Sequence, residues 1–213
     1  MSTTPRRTRL DPDQRRSQIL DAASELFAVR GYGDVSIEDI ARRAGVTRGL
    51  VHHYFGGRND VYVALIQRIG SIRERELRQP VGSSARERVG DSVSRWLDWT
   101  QENRTIWLAA MAPGEHLSDQ EVRRVVADLV ERAVRLLILL HSDVAEDSPR
   151  LRYALECWTG MNRAATWRWL HGKASRETTH ELLTLTLLHV LRTFGTAAAD
   201  GTGTAEASPT GDA

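Results

Sequence analysis

"SIEDIARRAGVTRGLVHHYF", residues 36–55, decides how the rest of the chain is read. Ser36 and Asp39 form an S-x-x-D helix start, and Ile37, Ile40, Ala41 and Ala44 recur at helical spacing until Gly45 stops the run. Thr47 then caps a second helix that reaches Phe55, where Gly56-Gly57 breaks it. Ala41 lies four residues before Gly45, where two helices approaching closely need a small side chain. Ile40, Ala44, Val46, Val51 and Tyr54 supply the buried contacts. Two short helices joined this way have the shape of a helix-turn-helix.

The second of these helices holds adjacent histidines beside an arginine, and the direction of each side chain decides what they are for. At roughly 100° per residue, Arg48, Gly49, His52 and His53 fall in one arc of about 140°, with Leu50, Val51, Tyr54 and Phe55 opposite. A chelating pair on a helix sits at i and i+4, so neighbouring histidines make a poor metal site. A general base would need an orienting partner and a cleft. Neither metal nor catalytic residues are predicted, and no cofactor. A solvated face is the bland reading. Major-groove contact is the sharper one, with Arg48 bonding guanine or phosphate, Gly49 letting backbone approach base edges, and both imidazoles donating. Ser36 and Thr47 cap helix N-termini whose partial positive charge suits phosphate, and Arg58 stands ready for another backbone contact.

Helix punctuation continues outward in both directions. Asp11-Pro12 reads as N-cap and first helical residue, Gln14 closes a capping box, and Ile19, Ala23, Leu26 and Phe27 follow before Gly31 and Gly33. A fourth helix runs from about Arg58 into the 70s, and beyond Pro80-Val81-Gly82 longer helices are predicted at 84–101, 103–112, 118–141, 149–171 and 176–196. Sustained period-2 runs are missing, so the fold is expected to be all-α. Residues 197–213 are too poor in apolar side chains to offset ordering entropy and are expected to be a disordered tail. Residues 1–10, with Arg6, Arg7 and Arg9, are expected to be a flexible basic arm.

Composition sets outer limits. The 213 residues can bury a real core, the apolar runs are too short to span a bilayer, and the net charge of +1 makes any basic surface local. A single cysteine, Cys157, excludes an internal disulfide framework, fits a reducing cytoplasm, and is expected to be buried packing. Of the 29 basic residues all but Lys173 are arginine, spread along the chain, which reads as genome composition rather than a binding patch.

The run "RRSQILDAASELFAVRGYGDVSIEDIARRAGVTRGLVHHYFGGRNDVYVALI" resembles the N-terminal domain of the TetR family of transcriptional regulators over residues 15–66. The resemblance rests on A-x-x-L-F-x-x-x-G-Y in the first helix, S-I-x-D-I-A-x-x-A-G-V in the second, and a recognition helix ending in Tyr-Phe with a basic residue three positions on. It implies that Arg48, Gly49, His52, His53 and Tyr54 contact DNA and that Ser36, Thr47 and Arg58 hold phosphates. Gly57 stands where the family usually has a polar cap.

For the remaining two-thirds the resemblance implies a helical ligand-binding and dimerisation domain. The expected division is 11–57 for DNA binding and 58–196 for ligand and dimer. All six tryptophans fall in the latter. Core filling accounts for any one of them; an aromatic-lined cavity for a flat or hydrophobic ligand, cations included, accounts for several together. Trp96, Trp99, Trp107, Met111, Trp158 and Asn162 are the candidate ligand contacts, with His116, His141 and Cys157 as unpatterned additions. The 176–196 helix is apolar too far round for one-sided burial, so Trp169, Leu183, Leu187, Leu191 and Phe194 are candidates for a homodimer interface.

The expected function is therefore a homodimeric, sequence-specific repressor, bound to palindromic double-stranded operator DNA and released by a small molecule, without a membrane partner. A regulator of the same fold that activates or needs no ligand is the alternative. A helical enzyme with a Trp-lined cavity is a remote one, since no nucleophile–base set is visible.

Overall fold

The computed structural model describes residues 11–75, 80–111 and 120–195. Among them the chain forms nine helices and no strand: α1 (Pro12–Arg30), α2 (Ile37–Ala44), α3 (Arg48–Phe55), α4 (Arg58–Arg75), α5 (Ala85–Glu102), α6 (Arg104–Met111), α7 (Gln120–Leu140), α8 (Pro149–Leu170) and α9 (Arg176–Phe194). The expected arm, the expected tail and His116 lie outside the described residues. Helix ends sit within about two residues of the sequence expectation, the usual fraying margin.

The starts are set by side chains that satisfy orphan amides. Asp11 and Gln14 close a reciprocal capping box on α1, Ser36 and Asp39 on α2, and Ser84 and Glu87 on α5. Thr47, Ser148 and Ser175 each accept an amide at the starts of α3, α8 and α9. Each such cap contributes about 1 kcal/mol. Gly45 ends α2 in the left-handed region at φ 66°, where its amide bonds the carbonyls of Ala41 and Arg42. A side chain there would be strained whatever the space around it. That turn fixes the angle between α2 and α3.

Two apolar clusters hold the helices together. The first joins Phe27, Ile40, Val51, Tyr62 and Leu65 to Trp107, Leu108 and Val122. It runs from α1 through α7, so apolar contact crosses the junction at residues 57 and 58 without a break. The second joins Val93 and Leu97 of α5 to Leu151 and Leu155 of α8 and to Leu183, Leu187 and Leu191 of α9. Trp96 and Trp169 pack against both clusters. Burying each large apolar side chain contributes about 1.5–3 kcal/mol.

Helix α6 ties the halves together. It packs on α1 and on α4, and the Tyr62 hydroxyl donates to the carbonyl of Ala110 at 3.2 Å. Burial pushes the Tyr62 phenol up, so it stays a neutral donor.

Two expectations fail here. Cys157 is exposed rather than buried, because it lies on the side of α8 away from both clusters. Leu183, Leu187 and Leu191 are 0%, 1% and 0% exposed inside a single chain, so they have no surface left for a dimer partner. Their spacing of four residues does mark a packed stripe, but the stripe faces α5 and α8. Trp169 and Phe194 are half-buried against the same chain, with the Arg150 guanidinium 4.9 Å over the Phe194 ring. The outward apolar side chains are instead Tyr153 on α8 and Leu182 and Leu185 on α9, at 68%, 43% and 41% exposure.

Candidate nucleic-acid interface and helical cavity

Helix α3 presents the faces its sequence predicts. Arg48, Gly49, His52 and His53 are exposed, Leu50 and Tyr54 half-buried, and Val51 and Phe55 buried. Val51 and Phe55 anchor the helix in the first cluster, so rotation about its axis would expose them. The polar face is thereby fixed by the apolar one.

The polar side chains on that face are wired in series. Arg48 pairs with Glu38 on α2 at 2.5 Å, and its Nε donates to His52 Nε2 at 3.4 Å. The other ring nitrogen of His52 meets the Gly56 carbonyl. A carbonyl only accepts, so Nδ1 carries the proton and Nε2 is left to accept from Arg48. His53 sets its ring edge-on against Tyr54 at 5.4 Å. Sequence reasoning missed Glu38. Its signal was there, an acid in the first turn of α2 beside the first turn of α3.

The expected phosphate-holding residues divide. Thr47 accepts from the Leu50 amide at 3.2 Å and keeps its hydroxyl proton for an outside acceptor. Ser36 is committed internally: its hydroxyl donates to Asp39 at 2.8 Å and accepts the Asp39 amide at 3.1 Å. Those bonds hold the Asp39 carboxyl below its usual range, with Arg30 and Arg42 adding to the effect. A phosphate at that helix start would meet a carboxylate already in place. Arg58 is also committed: its guanidinium lies 4.4 Å over the Tyr32 ring and donates to the carbonyls of Gly33 and Val35 at 3.2 and 3.3 Å. It fastens α4 to the loop between α1 and α2.

All six expected ligand contacts, Trp96, Trp99, Trp107, Met111, Trp158 and Asn162, wall one cavity of about 410 Å³ among α4–α8 and Leu187 of α9. Trp96 and Trp99 stack at 5.5 Å with ring planes 24° apart. Trp158 donates its indole N–H to Thr186 at 3.1 Å, which pins its ring between α8 and α9. Most of the remaining wall is aliphatic, from Val126, Leu129 and Leu136 among others. The polar exceptions lie mainly on α8, where Glu156, Asn162 and Arg163 line the cavity. Only Asn162 of these was expected, since nothing in the sequence separates a cavity-facing arginine from a solvated one. His141 lies elsewhere. It is wholly buried with neither ring nitrogen partnered, and burial lowers its pKa, opposed by Asp143. No group of histidine, cysteine and acidic residues able to hold a metal occurs among the described residues. Nor, among the described residues, is any helix long and apolar enough to cross a membrane.

Residues 19–65 match the family described as bacterial regulatory proteins, tetR family. The chain is 33% identical over 100 residues to the HTH-type transcriptional activator FasR of Mycolicibacterium smegmatis, 46% of each protein. It is 34% identical over 137 residues to the HTH-type transcriptional regulator BetI of Escherichia coli, 58% of this chain and 70% of that one. The chain thus spans about half the length of the first relative and over two-thirds of the second. A tetR-family regulator from Streptomyces coelicolor superposes with a TM-score of 0.66 at 27% identity, covering 85% of this chain and 80% of that one.

Proposed function

This chain belongs to the TetR family of bacterial regulatory proteins and is a DNA-binding transcriptional regulator, not an enzyme; from that premise we propose that it is a homodimeric repressor released from its operator by a small apolar molecule in the tryptophan cavity. The observation that carries the release is the placement of α6. Its Trp107, Ala110 and Met111 wall the cavity, while the same helix packs on α1 beneath the DNA-reading helices. A molecule that wedges α6 or swings α4 is felt at α3.

In this reading residues 11–57 read DNA and 58–196 bind ligand and partner. Arg48, Gly49, His52, His53 and Tyr54 face the major groove, and Thr47 holds a phosphate. Ser36 and Arg58 act on DNA indirectly, by fixing α2 and α4. A second copy covers Tyr153, Leu182 and Leu185, placing two α3 helices across successive major grooves about 34–36 Å apart. The occupant favours a dimer whose spacing no longer fits. About 1.4 kcal/mol of differential affinity lowers DNA binding tenfold.

Fluorescence anisotropy with the full chain and its own upstream DNA tests this, with and without candidate apolar ligands. Salt-dependent binding to one palindrome over random duplex, relieved by ligand, is the expected result. Ligand that tightens the complex would favour the activator alternative, to which the likeness to an activator points. Binding indifferent to every ligand would favour a ligand-independent regulator.

A further inference from the structure

The polar lining of the cavity is not neutral in what it invites. Asn162 accepts the Thr166 hydroxyl proton on Oδ1 at 3.0 Å, and Thr166 in turn lies 3.4 Å from the Trp96 indole nitrogen, which only donates. The chain of donors therefore runs one way, and the Asn162 amide is turned so that its NH2 is left to donate. Next to it, Arg163 has no ion pair and no hydrogen bond with any described residue. Glu156 is the opposing charge, but it sits two turns away, about 10 Å along α8. It also lies in the field of Arg152, itself bound to Asp147. One end of the cavity thus offers donors and an unbalanced cation, and the rest offers aromatic and aliphatic walls.

We propose that the occupant of this cavity is an amphipathic anion, its apolar body between the Trp96–Trp99 stack and Trp158 and its carboxylate or similar oxyanion on the Asn162 amide and the Arg163 guanidinium. The proposal rests on the reading of the cavity as an effector site. The tryptophan faces taken alone would suit a cation equally well. An organic cation at the Asn162 end, however, would meet two donors and a like charge.

Three probes with one tail separate the cases: decanoate, decanol and decyltrimethylammonium, each titrated into the full-length protein by calorimetry. Decanoate is expected to bind at least tenfold more tightly than the other two. Arg163→Gln is expected to remove that preference while leaving decanol affinity within twofold, and Arg163→Lys to restore part of it. Arg163 is exposed, so thermal melts of these variants are expected to match the parent. Decanol binding as tightly as decanoate, a preference for the ammonium, or no saturable decanoate binding overturns the anion. The underlying cavity reading fails separately. Ala133→Phe projects a ring into the cavity from its wall, and unchanged affinity for all three probes in a folded Ala133→Phe protein would place their site elsewhere.

Discussion

The outward face of α3 and the inward face of α8 both carry an arginine, and the two are treated differently. Arg48 stands in solvent yet is held between Glu38 and His52. Arg163 lines an apolar cavity and has no partner among the described residues. An exposed ion pair contributes little to stability, so the Arg48 bridge is better understood as aim than as glue. The Arg163 side chain is exposed, so water solvates its charge until an occupant of the cavity takes that place. In the proposed reading the first arginine is oriented in advance for a partner as large as a duplex, while the second is left unmatched for a small anion.

The comparison can be broken most severely from below, through the core that holds both faces in place. Leu183→Ala should cost about 2–5 kcal/mol, read as a shift in chemical denaturation midpoint. Leu185→Ala, two residues further along α9 on its outer side, should change the single-chain stability by less than about 0.5 kcal/mol. Leu185→Glu should instead convert dimer to monomer in light scattering; a dimer unmoved by it would place the partner on another face.

Next in size is Arg48→Ala, expected to lose about 1–3 kcal/mol of preference for the operator over altered sequences while random-DNA affinity changes little. Glu38→Gln sharpens the point. It keeps Arg48 but frees it, so operator preference should drop by under about 1 kcal/mol while nonspecific affinity rises. A larger loss than Arg48→Ala itself would mean that Glu38 touches DNA directly.

Arg58 yields a smaller effect with a clear sign. If it fastens α4 through Tyr32, Arg58→Ala should reduce stability by about 0.5–1 kcal/mol and leave the salt dependence of DNA binding unchanged. A fall of about one in that slope would restore it as a phosphate contact.

The mildest test is acid. Burial holds the His141 imidazole below its ordinary pKa, so the unfolded chain takes up the proton first. Stability should therefore decline as pH drops from about 6.5 toward the depressed folded value, and be flat in this respect above it. Melts of parent and His141→Gln proteins between pH 5 and 8 isolate that slope.

What could be read from the residues follows the range of the forces involved. Helix starts depend on partners three residues apart, and a helix face on spacing alone, so Asp11, Ser36, Thr47 and the outward set on α3 were all legible. The cavity tryptophans were legible only with a family resemblance, because Trp107 and Trp158 come to line one cavity from different helices rather than along one. Direction on α9 was not legible. Leu182, Leu183, Leu185 and Leu187 supply apolar positions all round that helix, and only packing against α5 and α8 chooses which of them turn inward. Arg58 and Arg163 show the same limit for charge. An arginine's reach is long, and its partner is selected by tertiary neighbours.

The helix that walls the cavity while lying against α1 has a thermodynamic corollary. Coupling free energy carries no direction, so whatever factor an occupant subtracts from affinity for the operator, the operator must subtract from affinity for the occupant. A cell holding many copies of the operator would thus make this protein a poorer detector of its own signal.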